Sequence, residues 1–280
     1  MTERLSDIEA RIGTVGQLSA VITAMRGIAA TRTAEARRTL EAIRAYGEEV
    51  AEGISEALRV TAPEEADTAP RPDEVHAVIA FCSEQGFVGA FNDHILDAFE
   101  ATPHTGPRVL FLIGDRGRVA AAERDLTIDW FAPMIAHPTR APRLANRLAD
   151  ALFEQISAGR VQRVTMIHAA PERQGGYTVQ SQRLVPFDYV RFPPRAGPGE
   201  MLLTLPPAQL LRKLVEEYIF AMLCEAAMLS FAAENEARMR AMIAARQNVA
   251  DVREGLQARA RQLRQEEITS EIIALASSRL

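Results

Sequence analysis

Apolar residues recur at steps of three and four along both ends of the chain. The first segment carries them at Leu5, Ile8, Ile12, Val15, Leu18, Ile22, Met25 and Ala29, then at Leu40, Ile43, Val50, Ile54 and Leu58. The second carries them at Leu211, Val215, Tyr218, Met222, Ala226, Leu229, Ala233 and Ala237, and less regularly to Leu275. This is the period of an amphipathic helix, so the pattern predicts one long helix over residues 1–60 and another over 208–280.

The positions of proline support the same division. All 15 prolines lie between Pro63 and Pro207, and proline in a helix interior costs about 3 kcal/mol. A helix of about 70 residues would be about 105 Å long, which exceeds the diameter of a compact domain of this size. A periodic pattern of that length is typical of a coiled coil. We therefore expect the two terminal helices to pair as a long antiparallel coiled coil.

Residues 73–190 show a different pattern, in which short apolar runs alternate with helical stretches. Such alternation predicts a Rossmann-like βαβ domain with a largely parallel sheet, inserted between the two long helices. The fold class is thus α/β plus a long antiparallel coiled coil. Strands are predicted at 75–82, 108–113 and 161–169, with further ones at 126–131 and, at an edge, 177–189; helices are predicted at 93–100, 117–124 and 143–158.

Composition excludes several classes of protein. Hydrophobic residues make up 48% of the 280 residues and charged residues 25%, which is too apolar for a disordered chain. The net charge of -5 offers no general attraction for nucleic acid. Cys82 and Cys224 lie far apart and without metal-ligand spacing, so we expect buried thiols rather than a disulfide or a zinc site. No uncharged apolar run reaches the ~20 residues of a membrane span.

A glycine-containing loop follows the first predicted strand. Gly86 and Gly89 precede a helix opened by Asn92, which is the position of a phosphate-binding loop in nucleotide-binding folds. Neither GxxxxGK[ST] nor GxGxxG is present. The interpretation we favour is a packing turn that brings the helix close to the sheet.

The sequence also contains candidate residues for nucleophilic catalysis and for metal binding. Cys82 or Ser83 at the end of that strand, with His94 or His168 as a base, would suit nucleophilic catalysis, but no GxSxG motif exists and a cysteine in an apolar run is usually core. The histidines lack paired spacing, so we expect no metal and no cofactor.

In the last helix, Gln265 and Thr269 are four residues apart and share a face.

The order of short motifs near the C-terminus resembles the gamma subunit of F-type ATP synthases. Residues 237–242 (ARMRAM), then Asn248 and Ala250, then Arg264-Gln265 and residues 268–272 (ITSEI) are similar to that family's ARM-x-AM, NA, RQ and IT-x-E-I elements. The loop at 83–92 (SEQGFVGAFN) resembles the family's SDRGLCGGFN. The resemblance extends over the whole chain and is strongest in the last 50 residues.

The resemblance implies a non-catalytic rotor shaft. The coiled coil would stand inside a ring of alpha and beta subunits, with the α/β domain nearer the epsilon subunit and the membrane-embedded ring of proteolipid c subunits. Rotation would couple ion translocation to ATP synthesis or hydrolysis on the beta subunits, at the cytoplasmic face of a bacterial plasma membrane. By family position, Arg238, Gln265, Thr269 and Glu271 would make rotor-stator contacts with the ring.

Two alternatives remain at this point. One is a small-molecule enzyme that uses the α/β domain at Gly86 to Asn92. The other is a coiled-coil scaffold unrelated to rotation.

Overall fold

The computed structural model describes residues 4–62, 71, 73–194 and 203–277, with no side-chain description at 275 and 276. The predicted helix ends at 1–3 and 278–280 lie outside the described part of the chain, as do residues 63–70, 72 and 195–202.

Two helices account for the terminal segments, as the apolar period predicts. Helix α1 runs over Leu5–Ala57 and helix α5 over Pro207–Ser277, 71 residues without a break. No proline lies inside either helix except at the first position of α5, where the missing N–H is not needed.

Between them lies a five-stranded sheet. Its strands are β1 (His76–Phe81), β2 (Arg108–Ile113), β3 (Trp130–Ala132), β4 (Arg163–Pro171) and β5 (Tyr177–Val185), in the order β3-β2-β1-β4-β5. The first four are parallel, and β5 pairs antiparallel with β4 at the edge. The intervening helices are α2 (Phe91–Glu100), α3 (Asp115–Glu123) and α4 (Ala141–Ser157). The predicted βαβ domain and its edge strand are therefore present, although the strand predicted at 126–131 forms only at its end.

The described chain divides into two compact units. The first comprises residues from the ranges 1–29 and 239–280, and the second those from 30–238. In the first unit, Ile8 of α1 is buried against Ala260 and Leu263 of α5. An ion pair with 2.7 Å between the nearest N and O atoms joins Glu9 to Arg264.

In the second unit the two long helices also run antiparallel. Residues with higher numbers in α1 contact residues with lower numbers in α5. Gly47 faces Ala221, and Gly53 faces Leu214. One face of the sheet packs on α4 and on the middle of α5, around Phe81 and Phe231. The other face packs on α2 and α3, and this second core extends to Ala233 and Ala237 of α5.

Helix α1 also has an unusually apolar stretch. It contains an 18-residue window with a mean hydropathy of 1.2 and at most two charged residues, and 11% of that window is buried. By length and composition alone this is the one described helix that could cross a membrane. Leu18, Val21 and Ile28 are each about half exposed, so this apolar surface needs an explanation.

Candidate functional site

The loop after β1 forms the centre of a polar cluster at the carboxyl ends of the parallel strands. Its Asn92 accepts a hydrogen bond at Oδ1 from the Ser83 N–H (2.8 Å), which holds the loop against the start of α2. Gly89 has φ +60° and Phe87 has φ +62° with an exposed ring. A Cβ at Gly86 would meet the Arg116 side chain at 3.6 Å, and one at Gly89 would meet nothing within 4 Å. The predicted turn is present, and at Gly89 the positive φ favours glycine. Neither glycine makes the close packing contact that we expected from the sequence.

Glu84 ties this loop to its two neighbours in the sheet. Its Oε2 accepts hydrogen bonds from the Asp115 N–H (3.1 Å) after β2 and from the Met134 N–H (2.7 Å) after β3. Gly114 makes the close approach possible: at φ +101°, a Cβ there would lie 2.5 Å from the Cys82 carbonyl oxygen. One carboxylate therefore joins the ends of three parallel strands.

Helix α5 completes the cluster with a buried carboxylate. Glu234, 3% exposed, accepts hydrogen bonds from the backbone N–H groups of Glu84 (3.2 Å) and Gln85 (3.3 Å). Burial raises the pKa of Glu234, whereas Arg238 and the two loop N–H groups act in the opposite direction. The helix is thus bonded to the loop through backbone N–H groups, which any residue except proline at 84 or 85 would provide.

Arg238 lies one turn later and is 4% exposed. Its guanidinium donates to Glu234 (2.5 Å), to Asn235 Oδ1 (3.0 Å) and to the backbone carbonyls of Gln85 and Gly86 (both 3.2 Å). Four of the five N–H groups of an arginine are thereby used inside the chain. This differs from the expected contact of Arg238 with a surrounding ring, because the side chain is enclosed by its own loop. We call Glu84, Glu234, Asn235 and Arg238 the loop clamp.

The other three expected ring contacts belong to the first compact unit. Gln265, Thr269 and Glu271 are all exposed. Thr269 donates its hydroxyl to the Gln265 carbonyl at 2.8 Å, within the same helix. The structure therefore places these residues on an accessible surface and places Arg238 in an interior.

Both nucleophiles considered for catalysis are enclosed, since Ser83 is 0% and Cys82 1% exposed. Cys82 is fully buried, and this burial, first among the causes, strongly raises its pKa. A thiol that stays protonated is a poor nucleophile. His168 is 3% exposed and its pKa is lowered by burial, while His94 bonds the Tyr177 hydroxyl at 2.9 Å. Among the described residues no group of three His, Cys, Asp or Glu is placed to hold a metal ion.

Sequence reasoning missed the importance of Glu84, Glu234 and Asn235. The signal was the run Glu234-Asn235-Glu236-Ala237-Arg238, a polar stretch within a helix whose neighbouring residues are alanine and other small or apolar types. In that context, a Glu and an Arg four residues apart are as consistent with a buried ion pair as with a solvent-exposed helix face.

Comparison with known proteins gives one consistent family. The family model described as ATP synthase matches residues 4–279. A curated protein named ATP synthase gamma chain from Frankia casuarinae is 29% identical over 97% of this chain and 95% of its own length. One of the same name from Solibacter usitatus is 25% identical over 98% and 97%.

Solved structures agree at the level of the fold. The Euglena gracilis mitochondrial ATP synthase rotor has a chain with a TM-score of 0.62 and 10% identity, covering 94% of this chain and 98% of that one. The central stalk and c-ring structure from Tetrahymena thermophila has a chain with a TM-score of 0.59 and 19% identity, covering 80% and 99%. Because the family model matches nearly the whole chain and the similar curated proteins carry the same name, this chain belongs to the ATP synthase gamma-chain family.

Proposed function

We propose that this chain is the non-catalytic rotating shaft of a rotary ATP synthase. Its partners are the alpha and beta subunits of the catalytic ring, the epsilon subunit and the ring of c subunits. The complex lies at the cytoplasmic face of a bacterial plasma membrane, to which this chain is attached peripherally. ATP is made or hydrolysed on the beta subunits, and this chain imposes a different conformation on each as it turns.

The observation that carries the proposal is the way α5 is bonded within the second unit. The helix continues unbroken over 71 residues, and its Glu234–Arg238 turn is tied to the β1 loop by hydrogen bonds from both sides. Ser230 adds a further link by accepting from the Ala169 N–H of β4 (3.2 Å). A torque acting on the sheet is therefore passed to the helix through hydrogen-bonded groups as well as through apolar packing.

The proposal assigns a role to the exposed residues of the helices. Gln265, Thr269 and Glu271 supply polar contacts to the ring, and each is accessible. The half-exposed apolar side chains of α1, at Leu18 and Val21, are covered by the ring in the complex rather than by a lipid bilayer. The regions 1–60, 73–190 and 208–280 act as first shaft helix, coupling domain and second shaft helix.

Direct observation of rotation tests the proposal. Cys82 and Cys224 are buried, so a cysteine introduced at the exposed Arg173 can be labelled selectively. The Arg173→Cys chain is assembled with its alpha and beta subunits, the ring is immobilised, and the probe on residue 173 is followed by single-molecule microscopy. We expect unidirectional rotation while ATP is hydrolysed and none when a non-hydrolysable nucleotide replaces it.

A probe that stays fixed in complexes that hydrolyse ATP would refute the rotor and favour a static coiled-coil scaffold. Turnover of a small molecule by the chain alone, lost on changing Gly86 or Asn92, would instead favour an enzyme.

A further inference from the structure

The end of the sheet at which the parallel strands begin, opposite the loop clamp, carries a row of basic residues. His76 starts β1, and in the register of the sheet it lies between Arg108 of β2 and Arg163 of β4. None of these residues contributes to the loop clamp, which is at the carboxyl ends of the strands.

A cavity of about 400 Å3 opens over this row, within the size range of sites for small ligands. Its wall is formed by His76, by the segment 102–105 after α2, and by Thr165, Ser181 and Arg183 from β4 and β5. Thr165 and Arg183 are paired across the two strands, so their side chains project to the same side of the sheet.

His76 is the most enclosed polar group in this wall, at 5% exposure. Its Nε2 lies 2.8 Å from the Thr165 hydroxyl. Its Nδ1 is buried and makes no hydrogen bond of normal geometry, although the Pro103 carbonyl acts on the ring and raises its pKa. The pKa of His76 is lowered to about 4, first by burial and then by the positive charges of Arg163, Arg108 and His104. Basic side chains on both neighbouring strands therefore act on this ring in addition to its burial.

The surrounding charges leave one guanidinium available. Arg163 is paired with Glu74, at 3.3 Å between nitrogen and oxygen. Arg108 donates to the Phe99 carbonyl (2.8 Å) and lies over the Phe99 ring. Arg183 has neither a hydrogen bond nor an ion pair among the described residues. Glu74 is the single carboxylate in the cavity wall and is already used.

We propose that this cavity binds a small oxyanion, a phosphate or carboxylate group, held by the Arg183 guanidinium beside the buried ring of His76. Arg183 supplies the compensating charge and two parallel donors. The Ser181 and Thr165 hydroxyls lie in the same wall for further hydrogen bonds. No residue of the loop clamp lines the cavity, and anion binding there does not require the chain to rotate.

Titration of the full-length chain by NMR tests this site. A 15N-labelled sample is titrated with sodium phosphate and, separately, with sodium acetate, against sodium chloride at matched ionic strength. We expect saturable shifts of the His76 ring and of the 165, 181 and 183 amides with phosphate, acetate or both. The better of the two anions identifies the chemical class.

Arg183→Gln removes the charged contact and should weaken the apparent affinity about tenfold or more. Arg173→Gln makes the same change at an exposed position in the β4–β5 turn, outside the cavity, and should leave affinity unchanged. The proposal is overturned by shifts no larger than those with chloride, by shifts centred elsewhere, or by equal affinity in the wild type and Arg183→Gln.

Discussion

Replacing Glu234 by glutamine tests the loop clamp with a minimal change of shape. The carboxylate accepts from the Arg238 guanidinium and from two loop N–H groups. Glutamine keeps one acceptor oxygen, but its amide nitrogen is a donor and must face another donor on one side. The change thus removes the negative charge, and it leaves at least one buried donor without an acceptor.

The expected cost follows from burial. Both partners are about 95% buried, with side-chain exposures of 5% for Arg238 and 4% for Glu234. Removing one member of such a pair costs about 3–5 kcal/mol. The carbonyls of Gln85 and Gly86 still accept from Arg238, which reduces the loss. We expect Glu234→Gln to lower the free energy of unfolding of the full chain by about 2–4 kcal/mol.

Urea unfolding followed by fluorescence is the assay. Trp130 is the only tryptophan and lies in β3, stacked on Phe111 with 5.5 Å between ring centroids, so it reports on the unit that holds the clamp. Glu225→Gln is the matched control on the same helix. Its partner Arg44 is half exposed, and the loss there should be below about 1 kcal/mol.

The double variant Glu234→Gln/Arg238→Met separates the pair from its surroundings. If the two side chains act together, it should be less destabilised than the sum of the single variants by about 1–3 kcal/mol. A Glu234→Gln chain as stable as the Glu225→Gln control, or strictly additive losses, would refute the clamp.

Three further outcomes are expected. Gly114→Ala should destabilise the chain by more than about 2 kcal/mol in urea unfolding, because a Cβ there meets the Cys82 carbonyl at a positive φ, whereas Gly13→Ala, whose Cβ meets nothing, should stabilise it by about 0.5–1 kcal/mol. The low pKa of His76, about 4, means that the unfolded chain binds more protons below pH 6.5; stability should fall from pH 6.5 to 4 by up to about 3 kcal/mol, and His76→Gln should flatten that part of the profile. Gln265→Ala should lower ATP hydrolysis by the assembled complex several-fold without changing the unfolding midpoint of the free chain, since its side chain is exposed; equal loss of stability would make it a structural residue.

Much of the architecture was predictable because the forces that set it act locally along the chain. The three-four period at positions such as Ile8 and Ile54, and the restriction of proline to the middle, are enough to place the long helices. The apolar runs that became β1, β2 and β4 are short and bounded by turn residues. The short strand β3 was harder, because Trp130–Ala132 is only three residues long and is held by β2 rather than by its own pattern.

The role of Arg238 shows what only the tertiary structure decided. Its spacing from Glu234 is visible in the sequence, but sequence alone suggests an accessible side chain, since charged residues are seldom buried. Small residues at Ala233 and Ala237 join the core beside the sheet, and this close approach brings the loop of Gln85 and Gly86, about 150 positions earlier, within hydrogen-bonding distance. Periodicity therefore determined which segments are helices, whereas long-range packing determined which of their charges are enclosed, because burial depends on neighbours that the local sequence does not contain.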